Sequence, residues 1–564
     1  MNGNEKTVTN KETGEVKSKT FDKANRMTSL VDRGGTQSWK YPLNSDKLTS
    51  FTFTQGDFSQ SNTFEYNPSD ENTNVKDGSN TYKFDYDERG HIRTFTSGDN
   101  SGATYNYDDR GLLKDLTIGI SNGDTILSES YDYDANGNRI AIHYPDKQTV
   151  MYDYDGLNEL TNVVLKDGTT FTYGYDGFGN RTQVKKVTAD GQTSIIDAKY
   201  NSENEITQYG DESIKYDANG NRIEDGKYSY EWNEKDQLVS IIKKGENTPF
   251  VTYSYDEDGK RIQKNVNGTV TNYHYDGDGI NVLYETDAQN NVVRSYTYSA
   301  NGQLLSMKKG SKTYFYHFNA HGDVVSITDS SGSIVATYDY DAWGNPTKVE
   351  EKDEVKDNPF RYAGYQYDQE TGLYYLLARY YQPQQGVFLS LDPSPGQDND
   401  FITQNGYTYA GNNPIKYIDP DGSMFRSIEE EGLESGSIAD GQYRMGRGGA
   451  AAGGRSYSSR TTPKGINKTN PLAKIKYTDK VKSQMSKGDY HSFPRSVEAF
   501  GKNGKTTKFK GGDGVTRTKV EIKGSYKGKK GVFEFIIEPD CFLQAESAEK
   551  CSEIYIGLQR FVLH

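Results

Sequence analysis

Pairs of tyrosines two residues apart, each followed by a polar turn sequence, recur along the first three quarters of this chain. The motif Y-x-Y-D-x-x-G-N-R occurs at 131–139 and 173–181 (at 173–181 as YGYDGFGNR). Because side chains alternate across a strand, Y-x-Y places two rings on one face. The D-x-x-G-N that follows predicts a turn, since Asp bonds backbone groups two residues on and Gly accepts a positive φ.

Related copies lie mostly 20 to 26 residues apart, and a period of this size indicates a repeat architecture. One hairpin cannot bury its apolar face alone, but stacked hairpins can. We therefore predict a mainly β protein in which residues 1–345 form one long antiparallel sheet that coils into a shell. The further copies have their second tyrosine, or its equivalent, at Tyr86, Tyr107, Tyr154, Tyr216, Tyr230, Tyr255, Tyr275, Tyr298 and Tyr340.

Two histidines in YHFNAHGD, His317 and His321, have the i, i+4 spacing of a helical metal pair. No Glu follows the first His as in H-E-x-x-H, and the flanking residues indicate two strands around a turn. We predict a structural turn. The repeated Asp and Gly also lack the spacing of calcium-loading repeats. No metal and no cofactor is predicted.

Composition bears on whether the repeats fold. The chain has 564 residues, 33% of them hydrophobic, a net charge of −14 and a mean hydropathy of −0.90. Such values are compatible with disorder, but 45 Tyr and 58 Gly at regular spacing favour a folded β-structure of at least two units. Cys541 and Cys551 form neither a disulfide framework nor a zinc site.

No apolar run reaches the roughly 18 residues that span a bilayer. The first residues, MNGNEKTVTNKETGEV, contain no apolar core of a secretory signal. They are typical of the middle of a repeat. We expect either a piece of a longer exported protein or a silent cassette behind its own Met.

The stretch 361–422 differs from the repeats. It contains RYAGYQYDQETGLYYLLARYYQPQQGVFLSLDP and, after a polar insert, NGYTYAGNNPIKYIDPDG. The segment ARYYQPQQGVFLS predicts a strand, a turn and a second strand. About sixty residues resemble the core of the Rhs/YD-repeat polymorphic toxins, with the WapA-type wall-associated proteins as the nearest members. The resemblance implies that residues 346–422 close one end of the shell and precede a variable toxin tip.

The resemblance also implies self-cleavage by paired aspartates just after the D-P-x-G motif. Paired carboxylates suit that chemistry, because one stays ionised while the other holds a proton. This chain has Ser423 after the motif glycine, where the family usually has Leu or Trp. The alternative is that these residues cap turns beside Pro and Gly. The candidates are Asp392, Asp398, Asp400 and Asp419.

After Gly422 the composition changes. Residues 423–470 are rich in Gly, Ser and Ala and predict a linker. From 451 to 540 there are 20 Lys and Arg against 8 Asp and Glu, a net +12, which leaves −26 for the rest of the chain. A basic C-terminal domain at 471–564 therefore favours a polyanionic partner such as nucleic acid. The acidic shell would hold this basic domain before its release.

Within that domain we predict a short helix ending near Gly488 and strands in KTTKFKG, TRTKVEIKGSYKG and KKGVFEFIIEPD. This α+β layout resembles small metal-independent ribonucleases of the barnase-like toxin group. Such chemistry needs an acid, a base and cations around the phosphate. The candidates are His491 and Glu521 for proton transfer and Arg495, Arg517 and Lys519 for phosphate. Residues 541–564 change in character, and a recombined end there would threaten activity.

The sequence thus predicts part of a contact-dependent inhibition toxin with a tRNA-directed ribonuclease tip. The resemblance implies a cognate immunity protein, secretion or wall association within a longer protein, and action in the target cytoplasm. Two alternatives stay open. One is a structural protein whose tyrosines bind wall carbohydrate. The other is a silent toxin cassette.

Overall fold

The computed structural model describes residues 4, 6–9, 16–394, 396 and 402–428, and five strands between 475 and 563. These residues contain 45 β-strands and three short 3₁₀ turns, with no α-helix in the described ranges. None of the described helical segments has the length and apolarity needed to cross a bilayer.

The first sheet contains twenty strands. They are β1 Thr7–Thr9, β2 Val16–Phe21, β3 Met27–Asp32, β4 Gly35–Lys40, β5 Ser50–Gln55, β6 Phe58–Tyr66, β7 Asn72–Asp77, β8 Asn80–Tyr86, β9 Ile92–Thr96, β10 Gly102–Tyr107, β11 Leu113–Gly119, β12 Thr125–Tyr133, β13 Arg139–His143, β14 Thr149–Tyr154, β15 Leu160–Val164, β16 Thr170–Tyr175, β17 Arg181–Val187, β18 Thr193–Tyr200, β19 Ile206–Tyr209 and β20 Glu212–Ser213.

The second sheet contains fourteen. They are β21 Lys215–Tyr216, β22 Arg222–Glu224, β23 Tyr228–Trp232, β24 Leu238–Lys243, β25 Val251–Tyr255, β26 Arg261–Val266, β27 Thr269–Tyr275, β28 Val282–Thr286, β29 Val292–Tyr298, β30 Leu304–Lys309, β31 Lys312–Phe318, β32 Val324–Asp329, β33 Ile334–Tyr340 and β34 Pro346–Glu351.

The segment after the repeats forms two small sheets. Their strands are β35 Gln366–Asp368, β36 Leu373–Leu376, β37 Arg379–Gln382, β38 Val387–Phe388, β39 Tyr417–Ile418 and β40 Arg426–Ser427, with 3₁₀ turns at Tyr362–Gly364, Ile402–Gln404 and Ala410–Asn412. The predicted strand, turn and strand in ARYYQPQQGVFLS are confirmed as β37 and β38.

The predicted antiparallel repeat sheet is confirmed, because each strand of the two large sheets pairs antiparallel with the next along the chain. Between β12 and β13, for example, Ser130 lies opposite His143, and the register shifts by one residue at Tyr133. The same shift recurs where a strand ends in the second tyrosine of a repeat, as at Tyr154 and Tyr175. Each bulge leads the chain into the D-x-x-G-N turn.

The turn explains why the motif reads D-x-x-G-N. Asp134 Oδ1 accepts hydrogen bonds from the backbone N–H of Asn136 and Asn138 at 2.8 Å, and its Oδ2 accepts the Asn138 amide at 2.8 Å. Gly137 has φ 77°, in the left-handed region that favours glycine. Asp176 and Asn180 repeat the arrangement. The predicted turn is therefore confirmed, and its Asp and Asn close it.

The second tyrosine of the repeat reaches back across the sheet. Its hydroxyl donates to the carbonyl at the start of the preceding strand, with oxygen–oxygen distances of 2.6–3.1 Å. Trp232 replaces one tyrosine and donates to the Arg222 carbonyl at 2.7 Å. The tyrosine pairs, donor first, are Tyr66–Leu48, Tyr86–Asn72, Tyr107–Ile92, Tyr133–Leu113, Tyr154–Arg139, Tyr175–Leu160, Tyr200–Arg181, Tyr255–Leu238, Tyr275–Arg261, Tyr298–Val282 and Tyr340–Val324.

The arginine that closes the motif is buried beneath the tyrosines. Arg139 lies 4.5 Å from the ring centre of Tyr131, and Arg181 lies 4.1 Å from that of Trp343. Both guanidinium groups are about 95% buried. A desolvated cation over an aromatic face gains up to about 2 kcal/mol. The arginine therefore belongs to the wall itself.

The second sheet winds inside the first. Strands β28 to β32 are buried along nearly their whole length. One face packs on the tyrosines and aliphatic residues of β23 to β26. The other face meets the first sheet through apolar side chains, such as Tyr284 stacked on Phe53, and through polar groups. Thr328 donates to Asp99 at 2.6 Å, and Tyr82 and Ser306 bond at 2.6 Å. Hydrogen bonds satisfy these buried polar groups, as burial requires.

The histidines of YHFNAHGD lie in this inner layer. His317 is in β31 and its Nε2 lies 2.8 Å from the Thr328 hydroxyl, while burial lowers its pKa to about 4. His321 lies in the turn 319–323 with Nδ1 2.8 Å from Asp323 Oδ1. The two rings therefore lie on a strand and in a turn, as predicted, and each has a different partner.

One buried ion pair fastens the post-repeat segment to the inner sheet. Asp368 accepts Arg261 Nη1 at 2.6 Å, Lys264 Nζ at 2.9 Å and the Tyr253 hydroxyl at 3.0 Å. Burial alone would raise the pKa of Asp368, but Arg261 and Lys264 outweigh it and lower this pKa to about 2. The carboxylate therefore stays ionised inside the core.

The C-terminal residues form a separate five-stranded sheet. Its strands are β41 Ile475–Tyr477, β42 Lys505–Lys510, β43 Thr516–Tyr526, β44 Lys529–Glu538 and β45 Ile554–Leu563, in the order β41-β45-β44-β43-β42. The three predicted strands are present as β42, β43 and β44. The helix predicted near 488 lies outside the described residues. Strand β45 comes from the terminus that changes in character, and it pairs along β44.

Tyr107→Phe is expected to lower the free energy of unfolding of the full chain by about 1–2 kcal/mol, because it leaves the Ile92 carbonyl without its hydroxyl donor. Denaturant unfolding followed by tyrosine fluorescence measures this loss. Tyr105→Phe, on the same strand, is the control, since the Tyr105 ring is more buried than that of Tyr107 but its hydroxyl bonds none of the described residues. Equal losses in the two variants would contradict the role of the bond.

Asp368→Asn is expected to lower the free energy of unfolding by about 3–5 kcal/mol, because Arg261 is left buried without its counter-charge. In the unmodified chain this contribution is complete above about pH 4, the ordinary value for Asp, and is lost as the pH falls towards 2. The variant should lack that part of the pH dependence. Asp353→Asn, which removes an exposed partner of Lys356, should leave stability unchanged.

Candidate functional site

Three charged side chains meet where the post-repeat segment ends. Arg379 opens β37, Asp392 follows β38, and Asp419 follows β39. The short strands bring together residues that are 13 and 27 positions apart in the chain. Arg379 Nη2 lies 2.9 Å from Asp392 Oδ2 and 3.1 Å from Asp419 Oδ2, so one guanidinium bridges both carboxylates.

The peptide bond between Gly422 and Ser423 lies within this cluster. Arg379 Nε donates to the Gly422 carbonyl at 2.5 Å. On the other side of the same peptide, the Ser423 N–H donates to Asp419 Oδ1 at 3.1 Å and to Asp421 Oδ1 at 3.0 Å. A cation therefore holds the carbonyl oxygen while a carboxylate holds the amide nitrogen.

Both the lack of space for a Cβ and the backbone conformation require a glycine at Gly422. Its φ is 72°, and a Cβ there would lie 2.4 Å from the Leu376 carbonyl oxygen and 3.0 Å from the Arg379 nitrogen. The neighbouring Asp421 carbonyl accepts the Ala378 N–H at 3.0 Å. The backbone is thus pressed against β36 and β37, which fixes the carbonyl beside Arg379.

Burial shifts both carboxyl groups towards the protonated form. Asp419 and Arg379 are 2–3% exposed, whereas the Asp392 side chain is 19% exposed. Burial raises the pKa of Asp419 to about 6, against the opposing effect of Arg379. Burial also raises the pKa of Asp392, with Arg379 again opposing. Asp419 is therefore the more buried of the two carboxyl groups, and Asp392 is the one nearer to solvent.

The structure describes two of the four candidates for self-cleavage. The structure brings Asp392 and Asp419 together through Arg379. Asp398 and Asp400 lie outside the described residues. Arg379 was not among the predicted site residues, although a charged residue within the Tyr-rich sequence LLARYYQ is a signal that it is buried for a reason.

The candidates in the C-terminal domain are described only in part. Glu521, Arg517 and Lys519 lie on β43, and Lys519 Nζ contacts Glu521 Oε1 at 2.8 Å. Val520 between them is fully buried, so a buried apolar residue alternates with charged residues along this part of the strand. His491 and Arg495 lie outside the described residues.

The register of the C-terminal sheet adds residues that the sequence did not single out. Glu521 lies opposite Lys505 on β42 and opposite Glu534 on β44, and Glu534 lies opposite Arg560 on β45. Four charged residues therefore occupy one row across four strands, with two carboxylate residues flanked by two cationic ones. Like-charged neighbours are unfavourable in a sheet unless something compensates them.

The tyrosines of the shell are turned inwards. In the described part of 16–428, no Tyr, Phe or Trp side chain is among the large exposed apolar residues. The second tyrosines are instead committed to backbone carbonyls, as at Tyr154 and Tyr175. The described residues therefore present no largely exposed Tyr, Phe or Trp ring.

Comparison with known proteins agrees with this architecture. The Teneurin YD-shell family model matches residues 103–415. The chain is 50% identical over 385 residues to the tRNA3(Ser)-specific nuclease WapA of Bacillus spizizenii, and 53% identical over 385 residues to the tRNA nuclease WapA of Bacillus subtilis. Each alignment covers 68% of this chain and 16% of the relative, so the chain spans about one sixth of the length of these relatives.

Solved structures of Tc toxins share the fold. A TcdB2–TccC3–Cdc42 crystal structure superposes with a TM-score of 0.53 at 15% identity, over 76% of this chain and 27% of that one. The Tc holotoxin pore of Photorhabdus luminescens with TccC3 D651A gives 0.53 at 16% identity, over 73% and 26%. The chain therefore belongs to the Teneurin YD-shell family, and over about two thirds of its length it is similar to the WapA proteins.

Proposed function

We propose that this chain is the C-terminal part of a toxin whose YD shell carries a ribonuclease that cuts tRNA. The observation that carries the proposal is the 50–53% identity to proteins named as tRNA nucleases. A net charge of +12 over residues 451–540 supports a polyanionic substrate. In this proposal residues 1–345 are the shell, 346–422 its closing segment, 423–470 a linker and 471–564 the toxin domain.

The proposed reaction is a transesterification without metal. One of His491 and Glu521 removes the ribose 2′-OH proton, and the oxygen attacks phosphorus to form a 2′,3′-cyclic phosphate. The other gives a proton to the departing 5′ oxygen. Arg495, Arg517 and Lys519 are proposed to neutralise the phosphorane. Delivery to the cytoplasm of neighbouring bacteria and an immunity protein for the producer belong to the same proposal.

The full chain with purified tRNA in EDTA is expected to yield fragments ending in a 2′,3′-cyclic phosphate. Glu521→Gln should lower the initial rate of tRNA cleavage by about 10²- to 10⁴-fold, which is the usual contribution of a proton-transfer group to the rate. Gel electrophoresis and mass spectrometry of the fragment ends report both results.

The matched control is Glu350→Gln. Lys348 and Glu350 form the same Lys-x-Glu pair on a strand of the shell, at 3.1 Å, and the charge change is identical. This variant should cut tRNA at the normal rate. Intact tRNA at micromolar unmodified chain would contradict the nuclease, and full activity in both Glu521→Gln and His491→Ala would contradict the mechanism.

We propose in addition that the cluster at Arg379 cuts the Gly422–Ser423 peptide and so frees the toxin domain. The specific support is that Arg379 holds the carbonyl oxygen while Asp419 holds the amide nitrogen. Asp392 takes a proton from water, and the water oxygen attacks the Gly422 carbonyl carbon. Arg379 stabilises the oxyanion, and Asp419 gives its proton to the Ser423 nitrogen as the C–N bond breaks.

Self-cleavage of the full chain should produce fragments 1–422 and 423–564. The rate should fall above about pH 6 as Asp419 loses its proton, and fall again on the acid side as Asp392 gains one, so the profile is bell-shaped. Asp419→Asn should lower the rate at least about 100-fold. Intact-mass measurement across pH 4–8 gives the profile.

Asp421→Asn is the control for this experiment. Asp421 also accepts the Ser423 N–H but makes no ion pair with Arg379 in the described residues. It should change the rate by less than about tenfold, because an amide oxygen at this position can still accept the Ser423 N–H. An Asp419→Asn chain that is cut at the normal rate would contradict the proposed role.

A further inference from the structure

The repeats present a row of polar groups close to the cleavage cluster. Five repeat turns, 134–138, 155–159, 176–180, 201–205 and 217–221, each follow a strand that ends in the second tyrosine of a repeat, and we refer to them as the turn rim. Two neighbouring pairs of these turns are joined through side-chain amides. Asn138 Nδ2 donates to Asn158 Oδ1 at 2.8 Å, and Asn180 Nδ2 donates to Asn204 Oδ1 at 3.1 Å.

Residues 405–416, which we refer to as the rim strap, lie along this rim. Asn412 donates from Nδ2 to Glu159 Oε1 at 2.8 Å and to the Gly179 carbonyl at 2.6 Å. Asn413 donates from Nδ2 to the Asn158 carbonyl at 2.9 Å and to Asn138 Oδ1 at 3.1 Å. Each amide thus bonds two consecutive turns. A strap shifted by one turn would lose both pairs of acceptors at once.

The two ends of the strap bind the outer turns. The Tyr407 hydroxyl donates to the Gly220 carbonyl at 2.9 Å, and Lys416 Nζ donates to the Asn136 carbonyl at 2.7 Å. The Tyr407 hydroxyl also donates to Glu205 Oε1 at 3.4 Å, so the contacts extend over all five turns of the rim. Most of these groups are buried, so the strap excludes water from its own hydrogen bonds.

The strap also touches the cleavage cluster directly. The Gly406 carbonyl, between two rim-bound residues, accepts Arg379 Nη1 at 2.9 Å and the Asp392 N–H at 3.0 Å. Asp419 follows Lys416 by three residues, and its N–H donates to the Tyr365 hydroxyl at 2.8 Å. The arrangement of the three charged residues therefore depends on where the strap lies.

We propose that the turn rim is a template that positions the strap, and through it the cluster of Arg379, Asp392 and Asp419, so that Gly422–Ser423 is cut only once these five repeats have folded. The proposal rests on the self-cleavage proposed above. It adds a role for residues more than 200 positions upstream of the cut. Asn138, Asn158, Glu159, Gly179 and Gly220 act as positioning residues, because none of them touches the peptide that is broken.

Two turn glycines allow the strap contact to be tested separately from the conformation of the turn. Gly220 has φ 85° and Gly168 has φ 84°, so alanine strains both backbones to the same degree. A Cβ on Gly220 would lie 2.4 Å from the Tyr407 hydroxyl, whereas one on Gly168 would meet nothing within 4 Å. Gly220→Ala should therefore lift the strap, and Gly168→Ala is its matched control.

In the full chain, Gly220→Ala is expected to lower the self-cleavage rate at least tenfold and to speed hydrogen exchange in 405–419, while Gly168→Ala changes neither. The double variant Asn412→Ala/Asn413→Ala should behave like Gly220→Ala without altering any turn. A loosened cluster also exposes Asp419, so the alkaline limb of the cleavage profile should move to lower pH in both strap-lifting variants. A purely structural role would leave that limb in place.

Equal cleavage and equal exchange in Gly220→Ala and Gly168→Ala would overturn the template, as would a normal cleavage profile in the double variant. If the unmodified chain is not cut at any pH, the self-cleavage proposal fails separately. The exchange comparison then decides on its own whether the rim holds the strap. Faster exchange of 405–419 only in Gly220→Ala and the double variant would still support the contact.

Discussion

The hydrogen bond from the second tyrosine of most repeats to the carbonyl that opens the preceding strand is the interaction on which the rest of the structure depends. A hydroxyl at the end of one strand, such as Tyr154, fixes the start of its neighbour, Arg139, and the same bond recurs from repeat to repeat. These bonds hold the ends of neighbouring strands in line with one another. The turns that follow the strands therefore form a row. The rim, the strap on the rim and the cluster beside the strap all require that row.

The inner layer shows how a chain with only 33% hydrophobic residues builds a core. Wall residues such as Asp77 and Asp99 are buried, yet each is bonded to a hydroxyl of the inner sheet, on Thr297 and Thr328. Each tyrosine contributes the apolar area of its ring to the core and a hydrogen-bond donor in its hydroxyl. A buried polar contact of this kind is stable only when every partner is present, which favours one winding of the sheet over others.

Much of the fold was readable from the sequence because its signals are local. The tyrosine pairs, the D-x-x-G-N turns and the strand-turn-strand of ARYYQPQQGVFLS all act within ten residues. The inner layer was not readable, since Gln60 meets Thr297 and Asn413 meets Asn138 across more than 200 residues, and alternation does not reveal such partners. For the cleavage cluster the motif indicated Asp392 and Asp419, but the bridging Arg379 became evident only when three short strands brought it between them.

The order of events during refolding tests the central claim most directly. The full chain is diluted from denaturant, pulse-labelled with deuterium at intervals, and digested, so that protection of 134–221 and the free Ser423 terminus are measured in the same samples. The account predicts that the new terminus appears only after the amides of the five turns are protected. A Ser423 terminus that forms while those turns still exchange freely would contradict it.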